Sequence, residues 1–235
     1  MYVDAAEMPQ LHNIFSFMER KRIKLKGNLR SYTDTVGSSA DTPRVRLWRR
    51  AARQRGYFTA AQALEEGYSY QSQYYQLHRG HWTRIDRGVY RFREFNDLPA
   101  GEHDHLVRWT LWSRGRAVVS HTTALSVHDL GIANPALIHL TVPPGFRGQH
   151  PSVVLHRAEL TSDEVEEHEG FRVTKPTRAV AESAEDSADQ DVIDSAVAEL
   201  LDRGAATKGQ LLRAAQRLGS RAELAVERAI RTESA

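Results

Sequence analysis

The segment from residue 70 to 79 carries the side chains best suited to hydrogen-bond with DNA bases. It contains three glutamines, a serine and a histidine, and a glutamine amide can both donate to and accept from adenine. The major groove admits an α-helix, so a helix here can present these groups to base edges. We expect Leu77 and at least one of Tyr74 and Tyr75 to pack inward. The DNA-contacting residues predicted in this segment are Tyr70, Gln71, Ser72, Gln73, Tyr74, Gln76 and Arg79.

Affinity for the DNA backbone must come largely from outside this segment, which has no lysine or arginine before Arg79. Arginines are abundant on both sides of it, and guanidinium groups suit phosphate oxygens. Arg87 stands beside Gly88 in a turn, where it can reach a phosphate or enter the minor groove. The arginines that we predict to contact phosphates are Arg49, Arg50, Arg53, Arg79, Arg84, Arg87 and Arg91.

The surrounding pattern predicts a winged helix-turn-helix over residues 44–95. Thr59 and Gln62 have the spacing of a capping box, while Gly67 and Ser69 suit the end of one helix and the start of the next. Two short helices joined by such a tight corner are typical of a helix-turn-helix. The predicted elements are helices over 44–54, 59–66 and 70–79, with residues 57–58 as a bridge, and a β-hairpin over 82–92.

The charge of the chain is unevenly distributed. Residues 1–95 hold 17 Lys and Arg against 9 Asp and Glu, a net +8, whereas the rest holds 15 against 21, a net −6. A basic front half joined to an acidic back half indicates a polyanionic partner for the front half alone. We interpret residues 1–43 as a basic N-terminal extension and linker.

Residues 96–235 have the mixed pattern of an α+β domain that ends in a helical tail. We interpret the acidic run 163–169 as a solvated face. Capping-box spacings at 207–210 and 220–223 predict the starts of the last two helices. The expected strands are 117–119, 137–142, 153–156 and 171–174, and the expected helices are 105–113, 122–130, 177–185 and three in the tail from 191 onwards.

Several side chains that could support catalysis or metal binding lack the spacing that such sites need. His103 and His105 face one side only on a strand, and no further ligand stands at a recognised spacing. Ser120 is not in a glycine-flanked nucleophile turn, and His121 and His128 suit hydrogen-bonded core positions. We therefore predict no catalytic residue, no metal site and no cofactor.

The composition excludes other classes of protein. The chain has no cysteine, so it has no disulfide framework and no thiolate metal site. No stretch approaches the roughly 18 apolar residues of a membrane span, and the N-terminus lacks a secretion signal. We expect a cytoplasmic protein without a membrane partner.

Three segments of the front half resemble the winged helix of AbiEi-type antitoxins and related bacterial transcriptional regulators. These segments are 58–63, 67–71 and 82–91, and the Arg-Gly-Val-Tyr sequence of the last one is fairly specific. Weaker matches extend the resemblance over 44–218. They lie at 119–125, 138–143, 173–178 and 191–218.

The resemblance implies a DNA-binding repressor that is the antitoxin of a toxin–antitoxin or abortive-infection pair and regulates its own operon. Its partners would be double-stranded DNA, as promoter repeats, and a nucleotidyltransferase-type toxin, which such antitoxins need not bind in a stable complex. Some relatives carry a nuclease-like second domain with a D…E-x-K core. The only E-x-K here spans 19–21, in the extension, so the resemblance implies no enzyme.

Three alternatives to an antitoxin remain open. The first is a stand-alone winged-helix regulator, and the others are a nucleic-acid-processing enzyme and a protein-interaction module. An adjacent gene for a nucleotidyltransferase-like protein would favour the antitoxin over the stand-alone regulator.

Overall fold

The computed structural model describes residues 42–97, 101–168 and 170–233. Most of the predicted N-terminal extension, residues 1–41, and the E-x-K sequence within it lie outside the described residues. Pro43 is instead the first residue of the first helix, and Thr42 caps that helix, since its hydroxyl accepts from the backbone N–H of Val45.

The front part of the structure is a winged helix-turn-helix, as predicted. Its three-stranded antiparallel sheet has the order β1-β3-β2. The strand β1 was not predicted, since residues 57–58 were interpreted as a bridge. The elements are α1 (Pro43–Ala52), β1 (Tyr57–Thr59), α2 (Ala60–Glu65), α3 (Tyr70–His78), β2 (Trp82–Asp86) and β3 (Val89–Phe92).

Local sequence signals set the ends of these helices. The Thr59 hydroxyl accepts from the backbone N–H of Gln62, whose side chain accepts in turn from the N–H of Thr59. Ser69 caps α3 through the N–H of Ser72. Gly67 has a φ of +97°, in the left-handed region that favours glycine.

An aromatic core holds the three helices against the small sheet. The Phe58 ring meets Trp82 edge to face, with centroids 4.7 Å apart, and lies 4.9 Å from Phe92. Leu47 and Ala51 of α1 complete the buried cluster. Leu77 of α3 packs against the same cluster.

The remaining residues form a five-stranded mixed sheet flanked by helices, which agrees with the predicted α+β class. The strand order is β6-β5-β4-β8-β7, with parallel pairing of β5 with β6 and of β4 with β8. The elements are α4 (Asp104–Trp112), β4 (Val118–Val119), α5 (His121–Val127), β5 (Ile138–Val142), β6 (Val153–Arg157), β7 (Val165–His168), β8 (Phe171–Thr174), α6 (Pro176–Glu185), α7 (Gln190–Asp202), α8 (Lys208–Gln216) and α9 (Ser220–Glu233).

Two sequence interpretations of this region are wrong. No strand was predicted in the acidic run, yet Val165–His168 within it forms the edge strand β7, in which no residue is fully buried; residue 169 lies outside the described residues. Ser220 is already helical and does not cap α9. The carboxylate of Glu185 accepts from the N–H of Ala222 and supplies the cap from another helix.

The winged helix packs directly against α4 and the larger sheet's core. Tyr57 and Val89 belong to the larger hydrophobic cluster. The carboxylate of Asp104, at the start of α4, lies 3.1 Å from Arg55 and 3.9 Å from Arg91. Within the part of the chain that is described, no helix combines the length and the apolar character needed to cross a membrane.

Candidate nucleic-acid interface

The outer face of α3 presents large side chains to solvent. Tyr70 is 72% exposed, Tyr74 63% and Tyr75 50%, and Gln71 is also exposed. The Tyr74 ring packs on the imidazole of His78, with centroids 3.8 Å apart. The three exposed tyrosines carry hydroxyl groups, and the exposed Gln71 carries an amide. Of these side chains, the Gln71 amide is the group that can both donate to and accept from adenine.

The prediction that Gln73 contacts DNA is wrong. Its side chain is only 3% exposed, and its amide nitrogen donates to the carbonyls of Ala60 at 3.2 Å and Tyr68 at 3.3 Å. These bonds tie α3 to the start of α2 and to the turn between the helices. Gln73 is a structural residue of the helix-turn-helix.

The expectation that Tyr74 or Tyr75 would join the core is also wrong. Gln73 and Leu77, four residues apart, form the inward stripe of α3, and Leu77 packs against the aromatic cluster. Side chains at 74 and 75 therefore point away from the core. The tight corner sets this rotation of α3, and sequence periodicity in so short a helix does not reveal it.

Ser72 and Gln76 are partly committed to contacts within the protein. The hydroxyls of Ser72 and Ser69 lie 2.9 Å apart. The carbonyl oxygen of the Gln76 side chain accepts from His81 Nδ1 at 2.7 Å. Gln76 retains its amide donor for DNA, whereas the paired contact with adenine would require the acceptor as well.

The wing carries two exposed arginines with no carboxylate partner among the described residues, Arg84 and Arg87. The backbone N–H of Arg87 donates to Oδ1 of Asp86 at 2.6 Å, which orders the turn. Gly88 follows with a φ of +74°. The turn thus holds the Arg87 side chain at the tip of the hairpin.

Two arginines that we predicted to contact phosphates are bound within the protein. Arg50 pairs with Glu65 at 2.5 Å and Glu66 at 3.2 Å. Arg91 donates from Nε to the carbonyl of Arg55 at 3.2 Å, and its guanidinium lies 4.8 Å from the centre of a tyrosine ring. The guanidinium groups of Arg50 and Arg91 therefore stabilise contacts between elements of the winged helix.

The remaining predicted cations lie on α1 and at the end of α3. Arg49 and Arg53 are exposed. Arg79 donates from Nε to the hydroxyl of Tyr75 at 3.0 Å, with its guanidinium 5.2 Å from the ring centre. This contact holds the Arg79 side chain against the exposed face of α3.

The histidines weighed as metal or catalytic groups lie outside this interface. Among the described residues, His103 and His105 join no cluster that could hold a metal ion, whereas His121 does so with His156 and Asp186. His128 instead contacts the carbonyl of Thr174 through Nε2 at 2.8 Å. No sequence spacing predicts the cluster around His121, because its members come from separate elements.

The front unit matches a known protein family. Residues 46–93 match the family described as "Transcriptional regulator, AbiEi antitoxin", and the resemblance noted in the sequence is confirmed over this segment. No curated protein matches the chain.

Among solved structures, the chain is similar to the RV2827C protein from Mycobacterium tuberculosis. The TM-score is 0.52 and the sequence identity 15%, over 81% of this chain and 77% of the other. This likeness concerns the fold alone, and it extends well beyond the matched segment.

Proposed function

We propose that this protein is a DNA-binding transcriptional repressor in which α3 contacts bases and the wing contacts the backbone. The observation that carries the proposal is that one unit has both an exposed α3 face with hydrogen-bonding side chains and exposed arginines on the wing. The same unit matches the AbiEi regulator family. Gln71 is the residue to which we assign base contact, because its amide is exposed and makes no hydrogen bond to any of the described residues.

Electrostatics supports the same assignment. The described residues 42–97 contain eleven arginines and five acidic residues. Residues 96–235 are acidic in sequence, so they would repel a phosphate backbone. We therefore assign DNA binding to residues 44–95 and antitoxin action to residues 96–235.

The test is selection of bound duplexes from a random library by the full chain, followed by titration on the selected site. Wild type is compared with Gln71→Ala and Arg87→Ala, and Arg213→Ala on the distant α8 is the matched control. We expect one enriched motif, lost discrimination with Gln71→Ala, and weaker binding to every sequence with Arg87→Ala. Failure of the wild type to enrich any motif would exclude sequence-specific repression.

We further propose that the protein is the antitoxin of a nucleotidyltransferase-type toxin and represses their shared operon. The support is the description of the matched family, which covers the winged helix only. Induction of the neighbouring gene, with and without this protein, tests the proposal by cell survival. If no neighbouring product is toxic, the protein is a stand-alone regulator.

A further inference from the structure

Three histidines converge on one side of the five-stranded sheet, far from α3 in the sequence. His121 begins α5 directly after β4, while His139 and His156 lie on the adjacent strands β5 and β6. The rings of His121 and His156 stack with centroids 3.4 Å apart, and Nδ1 of His139 lies 3.0 Å from Nε2 of His156. Such close packing of imidazoles calls for an explanation beyond core filling.

A carboxylate completes a set of ligand atoms around this cluster. One nitrogen each from His121 and His156 and one oxygen of Asp186 lie within 4.8 Å of one another. In a tetrahedral zinc site with Zn–N bonds of about 2.0–2.1 Å, neighbouring ligand atoms are about 3.3 Å apart. The set can therefore close on an ion by small side-chain rotations that splay the two stacked rings.

The site combines a buried end with an open one. His121 is buried and His156 half-buried, whereas Asp186 is exposed at the end of α6. An ion can thus enter from solvent beside Asp186 and be held against the sheet. The remaining coordination position would face water or His139.

Burial disfavours the protonated form of all three imidazoles. Burial lowers the pKa of His121 to about 2, with further lowering by His156, His139 and Arg178. Burial likewise lowers the pKa of His139 and of His156, against the opposing effect of Asp186. A neutral imidazole keeps a lone pair that an ion can share.

Outer contacts hold His121 in an unusual backbone conformation. Its φ is +53°, which is costly for a residue other than glycine, and its N–H donates to Glu182 Oε2 at 3.4 Å. Its Nδ1 lies 2.9 Å from Ser120 Oγ, which accepts from Thr141 Oγ1 at 2.8 Å. Metal-binding histidines are typically oriented by such second contacts to the ring.

We propose that His121, His156 and Asp186 form a binding site for one divalent transition-metal ion of the class that prefers imidazole, such as Zn²⁺, Co²⁺ or Ni²⁺. His139 borders the site, with its Nδ1 within hydrogen-bond distance of His156 Nε2. The ion would join the end of α6 to β6 and to the start of α5, and it would stabilise the larger unit without touching the DNA-binding face.

The experiment uses the tag-free full chain, freed of metal by a chelator and dialysed. Binding of Zn²⁺, Co²⁺ and Ni²⁺ is measured by calorimetry, thermal unfolding and, for Co²⁺, visible absorption, which reports direct ligation. The variants are His156→Ala and Asp186→Asn. Their matched controls are His105→Ala and Asp202→Asn, at exposed positions outside the cluster.

We expect one equivalent of ion per chain and a higher Tm, with affinity reduced at least ~10-fold in both site variants and unchanged in both controls. The metal-free variants must be folded for a loss of affinity to be interpreted. The unfolding transition of each metal-free variant shows whether it is folded. Absence of one-equivalent binding by the wild type, or binding by the site variants that equals that of the controls, would overturn the proposal. The selection of a DNA motif tests the proposed DNA-binding function separately, because its result does not depend on whether the metal site exists.

Discussion

Gln71 and Gln73 form a natural matched pair, since they are the same residue type on one helix and differ in burial. The structure predicts that replacing each by Ala has opposite consequences. Gln73→Ala removes two hydrogen bonds from a 3% exposed amide and leaves the carbonyls of Ala60 and Tyr68 without these donors. Gln71→Ala removes an exposed amide and leaves the protein's own contacts intact.

The burial of each glutamine determines how much its replacement changes the free energy of unfolding. Two buried hydrogen bonds at about 1 kcal/mol each, plus a small cavity, give a loss of about 2–3 kcal/mol for Gln73→Ala. For a chain of this size, that loss corresponds to a decrease in Tm of about 4–12 °C. Gln71→Ala should change the free energy of unfolding by less than about 0.5 kcal/mol. On the selected DNA site, however, it should lose about 1–3 kcal/mol of binding free energy.

Urea unfolding of wild type, Gln71→Ala and Gln73→Ala measures the free energy of unfolding. Titration of the selected and random duplexes measures the free energy of DNA binding. The titrations are done at a temperature at which every variant is folded. Our interpretation of α3 would be refuted if Gln73→Ala were as stable as wild type and bound the selected site more weakly. It would also fail if Gln71→Ala retained full discrimination between the two duplexes.

Two further predictions concern charges. Arg87→Ala should reduce the slope of log affinity against log salt by about one unit on both duplexes, because one phosphate contact is lost. Arg50→Ala is the control, and it should change that slope far less because the Arg50 charge is already paired. Equal slopes for both variants would contradict the assignment of Arg87 to a phosphate contact. Asp104→Ala should lower the free energy of unfolding by about 2–3 kcal/mol, measured in urea, because it leaves Arg55 and Arg91 without their carboxylate. This is less than the roughly 3–5 kcal/mol of a fully buried pair, since a third of the Arg55 side chain is exposed. A loss below about 0.5 kcal/mol would show that this contact does not secure the winged helix to α4.

Features encoded by neighbouring residues could be predicted from the sequence. The Thr59 capping box, the Ser69 cap and the turn at Gly88 each depend on residues within a few positions. The alternation of Trp82 to Phe92 predicts the hairpin for the same reason. The winged helix-turn-helix was accessible because it is an assembly of such local signals.

Features that depend on contacts between distant segments could not be predicted. The rotation of α3 that buries Gln73 is set by carbonyls of α2 and the turn. The cap of α9 comes from Glu185, 37 residues before the N–H of Ala222 that it accepts from. The histidine cluster needs the pairing of β5 with β6, and no sequence spacing between His121 and His156 indicates it.

The distribution of acidic residues explains why total charge is a poor guide to the DNA contact surface. At least five of the eleven arginines in the described residues 42–97 have carboxylate partners, and those partners lie on or just after α2, beyond β3 or at the start of α4. Acidic groups thus neutralise the side of α1 that packs on the protein, while the wing keeps Arg84 and Arg87 unneutralised. If α3 enters the major groove, we expect these two wing arginines to meet the phosphate backbone. The paired arginines are Arg44, Arg46, Arg50, Arg55 and Arg91.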